Sequence, residues 1–117
     1  MKKIYHLSTC TTCKKILKEL DPPSSYILQD IKTEHITGEQ LEEMRELSGS
    51  YEALFSKKAQ LYKERGFKNQ ELTEEHFKDL ILEHYTFLKR PVIINNDKIF
   101  IGNAKKTVEA AKKSVDE

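Results

Sequence analysis

The chain has 117 residues, enough for one domain with a hydrophobic core. Its 20 basic side chains face 19 acidic ones, a net charge of +1, which speaks against a dedicated nucleic-acid surface. No apolar stretch approaches the length of a membrane span, and MKKIYHLSTC lacks the apolar centre of a signal peptide. The expectation is a cytoplasmic protein with no membrane and no direct nucleic-acid partner, in a compartment where structural disulfides are rare.

The run Ile4-Tyr5-His6-Leu7 reads as a first strand, and Ser8-Thr9 as a short turn. Residues 11–20 carry a helical pattern, with Ile16, Leu17 and Leu20 on one face. The only two cysteines of the chain stand at its start, as Cys10-Thr11-Thr12-Cys13. Cys10 therefore meets the helix N-terminus, where unpaired N–H groups and the dipole favour an anion. A thiolate is such an anion, so the Cys10 pKa is expected to be depressed. Thr11 and Thr12 add backbone N–H groups and hydroxyls at the same place. Cys13 falls about one turn further on, placed to attack any bond that Cys10 makes.

Two other readings of the pair compete with this one. A structural zinc site needs four ligands, and His6, His35, His76 and His84 are scattered, with no second pair at ligand spacing. Two small buried apolar cysteines form the other alternative, against which the helix-start position of Cys10 speaks. His6 could serve as a proton partner, but within a strand a histidine is more often a core or surface residue.

Asp21-Pro22-Pro23-Ser24-Ser25 breaks the chain, and residues 26–31 read as a second strand. Strand, helix, strand at this spacing implies a parallel pair. The middle is helical. Thr37 and Gln40 form a capping box, Leu41, Met44 and Leu47 the stripe, and Ser48-Gly49-Ser50 the stop. A short piece covers residues 51–55, and a charged helical segment with Ala59, Leu61 and Tyr62 ends at Gly66. Thr73 starts another helix, with His76 where glutamate or glutamine is expected, and with Phe77, Leu80, Ile81 and His84 or Tyr85 on its apolar face.

The period then changes. Residues 91–94 and 98–101 read as a β-hairpin turning at Asn95-Asn96-Asp97, broken by Gly102-Asn103. A last helix covers residues 105–115, with Val108, Ala111 and Val115 inward. The expected fold is α/β and thioredoxin-like, a mixed four-stranded sheet with a helical insertion between β-α-β and β-β-α halves. Residues 1–117 are read as one domain, with residues 34–88 as an insertion subdomain within it.

The reactive cysteine after strand one, the insertion with Leu54-Phe55-Ser56-Lys57-Lys58 and Tyr62…Gly66, the segment Phe87-Leu88-Lys89-Arg90-Pro91-Val92, and the closing Ile101-Gly102 resemble the arsenate reductase (ArsC) family, which includes the Spx-type transcription regulators. Together these features cover almost the whole chain. The resemblance implies a cis Pro91 beside the active cysteine, where a plain strand-start proline is the alternative. It also implies an oxyanion-binding or thiolate-stabilising role for Arg90, where an exposed surface charge is the alternative. No bound cofactor is implied; glutathione with glutaredoxin, or thioredoxin, would be the external reductant and partner.

The departures from the family pattern point away from arsenate binding. Ser56 falls where the insertion's arginine would stand, and Gly102 or Asn103 where the last strand's arginine would stand. Lys57 or Lys58 keeps a charge there but lacks bidentate geometry. Ser8-Thr9 replaces an Asn-Pro pair, and Cys13 occupies a common serine position. In the Spx-type regulators a similar CxxC switch accompanies a glycine that meets RNA polymerase. Gly49 is the matching position, equally well explained as a helix stop, and Lys58 falls near an arginine of that group.

The sequence thus implies a monomer working by thiol–disulfide exchange, with Cys10 as nucleophile and Cys13 resolving. The alternatives are a glutathione- and glutaredoxin-dependent arsenate reductase, and an Spx-like redox-switched regulator that binds the RNA polymerase alpha subunit.

Overall fold

The computed structural model describes residues 1–117. The chain divides into two compact units, one of Met1–His35 with Arg90–Glu117 and one of Ile36–Lys89.

The first unit contains a four-stranded sheet. Its strands are β1 (Lys2–His6), β2 (Ile27–Asp30), β3 (Val92–Asn95) and β4 (Lys98–Ile101), in the order β2-β1-β3-β4. β1 runs parallel to β2 and antiparallel to β3, and β3 is antiparallel to β4. This is the mixed sheet that the element order implies. Two helices belong to the unit, α1 (Thr11–Leu20) and α5 (Lys105–Val115). The register aligns Ile4 with Ile93 and Ile93 with Phe100. That row packs with Ile16, Leu17 and Leu20 of α1, Val108, Ala111 and Val115 of α5, and Tyr26. Tyr5, Val92 and Ile94 alternate onto the opposite face and are buried too.

Several boundaries differ from the sequence expectation for local reasons. β3 starts after Pro91, which has no N–H to donate to a ladder, and it extends to Asn95. Asn95 is not a turn residue: it pairs with Lys98, and its side-chain amide donates to Ser114 Oγ at 2.8 Å and Ser114 O at 3.2 Å. The hairpin turns on Asn96 and Asp97 alone, with Asn96 at φ 58°. Tyr26 precedes β2 rather than opening it. β2 is an edge strand on which Ile27 and Leu28 are exposed.

The second unit is helical, with α2 (Gly38–Ser48), α3 (Gln60–Glu64) and α4 (Glu74–Glu83) joined by single 3-10 turns. Thr37 and Gln40 close the expected capping box on α2, and Gly49 ends that helix at φ 92°. Phe55 and Leu88 form an isolated antiparallel bridge. Ser56 N–H donates to Phe87 O at 2.7 Å, and Lys89 N–H donates to Leu54 O at 2.8 Å. The Phe55 ring stacks on Phe87 at 5.3 Å and meets Phe77 at 4.8 Å and Tyr62 at 5.8 Å.

At α4 a histidine does the work of the expected glutamate or glutamine. Thr73 Oγ1 accepts the His76 N–H at 3.3 Å, while His76 Nδ1 accepts the Thr73 N–H at 3.2 Å. An imidazole nitrogen with a free lone pair can accept as a carboxamide oxygen does. Thr73→Ala removes the hydroxyl half of this box and should cost about 1 kcal/mol of stability. Urea unfolding measures it; an unchanged midpoint would mean that the box contributes nothing.

Candidate functional site

Cys10 ends a tight turn and begins α1. Its N–H donates to Leu7 O at 3.0 Å, and its C=O accepts the Lys14 N–H at 3.1 Å. It is the N-cap residue of the helix, with extended backbone at φ −92° and ψ 114°. No acidic side chain stands in the first turn of α1, so no carboxylate competes with a thiolate for that helix end.

Both cysteines are free thiols, and their surroundings differ. Partial burial of Cys10 opposes its ionisation. That effect is outweighed by hydrogen bonds from the Cys13 backbone and thiol and by the charge and a hydrogen bond of Arg90. The net result holds the Cys10 pKa below the ordinary thiol value. Cys13 is 1% exposed. Burial, opposed by a backbone hydrogen bond from Leu7 and reinforced by the neighbouring Cys10, pushes its pKa up to about 11. The two sulfurs one helical turn apart are thus unequal, one favouring the anion and the other the thiol.

Cys10, Cys13 and Arg90 are brought together within the first unit. The Arg90-Pro91 peptide bond is cis and Pro91 is buried. The Pro91 carbonyl accepts the Gly102 N–H at 3.0 Å. Thr11 and Thr12 are exposed, and the backbone donor acting on the Cys10 sulfur is that of Cys13. His6 is half-buried and lies in the ladder opposite Asp30. Gly102 has φ 89°, a conformation that side chains rarely adopt, which accounts physically for a glycine there.

The remaining singled-out residues belong to the second unit. Gly49 is exposed in the left-handed conformation, its N–H bonded to Arg45 O at 2.8 Å. Lys58 is exposed, and its neighbour Lys57 pairs with Glu52 at 2.9 Å. Ser56 is half-buried. Sequence reading passed over Asp30, whose carboxylate accepts from the Ser8 hydroxyl and backbone. Nothing local marks it, because its partner is 22 positions away.

No group of three or more histidine, cysteine, aspartate or glutamate side chains is arranged to hold a metal ion. No helix is long and apolar enough to cross a membrane.

If Arg90 stabilises the thiolate, Arg90→Ala should raise the Cys10 pKa. A pKa higher by one lowers the thiolate fraction, at a pH well below the midpoint, about tenfold. Alkylation rate against pH measures it, and an unmoved profile would remove Arg90 from the site.

Residues 5–111 match the sequence model of the ArsC family. The chain is 26% identical over 102 residues to the global transcriptional regulator Spx 2 of Bacillus cereus, covering 85% of this chain and 77% of that one. A protein of Staphylococcus aureus solved in solution is 30% identical, with a TM-score of 0.75 and coverage of 95% and 98% of the two chains. The arsenate reductase of Vibrio cholerae is 22% identical, with a TM-score of 0.72 and coverage of 96% and 95%. That last likeness is one of fold.

Proposed function

The chain belongs to the ArsC family, and from that premise we propose that it works by thiol–disulfide exchange, with Cys10 as the nucleophile and Cys13 as the resolving thiol. The unequal ionisation of the two cysteines carries this reading. The Cys10 thiolate attacks one sulfur of a substrate disulfide. A Cys10–substrate disulfide forms, and the other substrate sulfur leaves as a thiolate. Cys10 has then lost its charge, and with it one of the influences that keep Cys13 protonated. The departing thiolate can take up the Cys13 proton. Cys13 attacks the Cys10 sulfur, the second substrate thiolate leaves, and two electrons have passed from the cysteine pair to the substrate. An external reductant, either the dithiol thioredoxin or two glutathione molecules with glutaredoxin, returns those electrons by attacking the Cys10–Cys13 disulfide and is itself left as a disulfide. Arg90 holds negative charge beside Cys10 throughout, Thr11 and Thr12 offer backbone N–H groups and hydroxyls at the helix start, and cis-Pro91 lies beside the active cysteine. The chain itself needs no bound cofactor, and the setting is the cytoplasm.

Ser56 and Gly102, at the positions of two family arginines, weigh against arsenate as the main substrate, since one guanidinium is a poor cradle for a multiply charged oxyanion. The similarity to Spx 2 favours a second reading, in which the same disulfide alters a surface that binds RNA polymerase through its alpha subunit. Gly49 and Lys58 are the residues proposed for that contact.

A coupled assay separates these readings. NADPH oxidation is followed with thioredoxin and a model disulfide, and separately with glutathione, glutaredoxin and arsenate. Disulfide-dependent oxidation that needs both cysteines supports exchange. Arsenate-dependent oxidation that needs Cys10 makes the protein an arsenate reductase. A Cys10–Cys13 disulfide that forms and is reduced without turnover leaves the switch.

A further inference from the structure

Asp30 ends β2, directly opposite His6 at the end of β1. Past that pair the two chains stay joined, because the Ile31 N–H donates to His6 O at 2.9 Å. The β1 chain then enters the turn of residues 7–10, closed by the bond from Cys10 N–H to Leu7 O. Ser8 lies inside that turn. Its hydroxyl donates to Asp30 Oδ2 at 2.5 Å, and its backbone N–H donates to Asp30 Oδ1 at 3.3 Å. Asp30 Oδ1 also accepts the Lys32 N–H at 3.2 Å, which ties the carboxylate to the turn that follows β2. A short hydroxyl–carboxylate bond is charge-assisted and stronger than a neutral one. The Ser8 hydroxyl, the backbone donors and the nearby His6 hold the Asp30 pKa below its ordinary value, so the acceptor stays ionised near neutrality. His6 and Lys32 are the titratable neighbours on the adjoining strand and the following turn.

We propose that Asp30 is a positioning residue for the nucleophile: by clamping Ser8 it holds the turn of residues 7–10, and so keeps the Cys10 sulfur over the first turn of α1. This rests on Cys10 being the nucleophile. The Asp30 charge, wherever it reaches the sulfur, opposes ionisation, since a carboxylate near a thiolate raises the thiol pKa. The two possible influences of Asp30 therefore have opposite signs. Removing a negative charge would lower the Cys10 pKa. Releasing the turn costs the sulfur its Cys13 hydrogen bonds and its place near Arg90, and raises the pKa.

Iodoacetamide alkylation of Cys10 against pH, in the full-length reduced chain carrying Cys13→Ser, tests this. Asp30→Ala and Ser8→Ala are each compared with that parent, with circular dichroism as the check on folding. Both are expected to move the midpoint upward and slow alkylation, at a pH well below the parent's midpoint, by about tenfold, the effect of a pKa higher by one. Ser8→Ala keeps the carboxylate and deletes one hydroxyl, so it decides the matter even if Asp30→Ala fails to fold. A depressed midpoint in the parent that is unmoved by Ser8→Ala overturns the clamp alone. So does a downward shift in Asp30→Ala, which would be an effect of charge. An ordinary midpoint in the parent overturns both the exchange reading and the clamp.

Discussion

Cys10→Ser should lower disulfide-dependent turnover by about a thousandfold or more, the scale expected when a catalytic nucleophile is lost. A serine hydroxyl at the same place is far too weak an acid to supply an anion near neutral pH. The helix N-terminus and Arg90, which tip the balance for a thiol, cannot do so for it. Cys13→Ser should behave differently. The first attack remains possible, while the resolving step is lost, so a mixed disulfide between Cys10 and the substrate accumulates. Intact-mass spectrometry under non-reducing conditions reads this as an adduct of one substrate half. Full turnover by Cys13→Ser would show that the substrate's own second thiol resolves the intermediate, and would remove Cys13 from the mechanism.

Phe55→Ala should destabilise the protein by about 3–5 kcal/mol, the usual range for deleting a buried phenylalanine ring. Phe55 is 1% exposed and its ring touches three others, Tyr62, Phe77 and Phe87. Aromatic pairs of this kind contribute about 0.5–1.5 kcal/mol beyond the area they bury. The backbone around Phe55 is held by the bonds of Ser56 to Phe87 and Lys89 to Leu54. Those bonds leave little freedom for the chain to collapse into the cavity, which places the loss at the high end. Urea unfolding of the parent and Phe55→Ala measures the difference. A loss under about 1 kcal/mol would mean that the ring cluster repacks and is not the core of the helical unit.

Much of this was legible from local rules. The turn residues Ser8-Thr9 before a helical stripe placed Cys10 at a helix start, and the capping box at Thr37 and Gln40 needed only four residues to read. The switch to period two after Pro91 gave the hairpin and, with the parallel pair, the sheet. What escaped depends on partners far along the chain. Ser114 of the last helix is buried and bonded to Asn95, itself read as a turn residue. Asp30 falls inside the segment read as the second strand, yet its carboxylate bonds a residue 22 positions earlier. His76 broke the expected capping pattern only because a residue-type rule overlooks what its ring nitrogen can accept.

The inequality of the two thiols is what divides nucleophile from resolving thiol. The direct measurement is the pH dependence of alkylation of each cysteine alone, Cys10 in the Cys13→Ser chain and Cys13 in the Cys10→Ser chain. Ionisation of a thiol creates the reactive form, so each rate rises with pH and levels off above the pKa. Cys10 should reach its plateau below the range of an ordinary thiol, while Cys13, held up by its burial, should go on rising above that range. Coincident profiles, or a lower midpoint for Cys13, would contradict the assignment of nucleophile and resolving thiol.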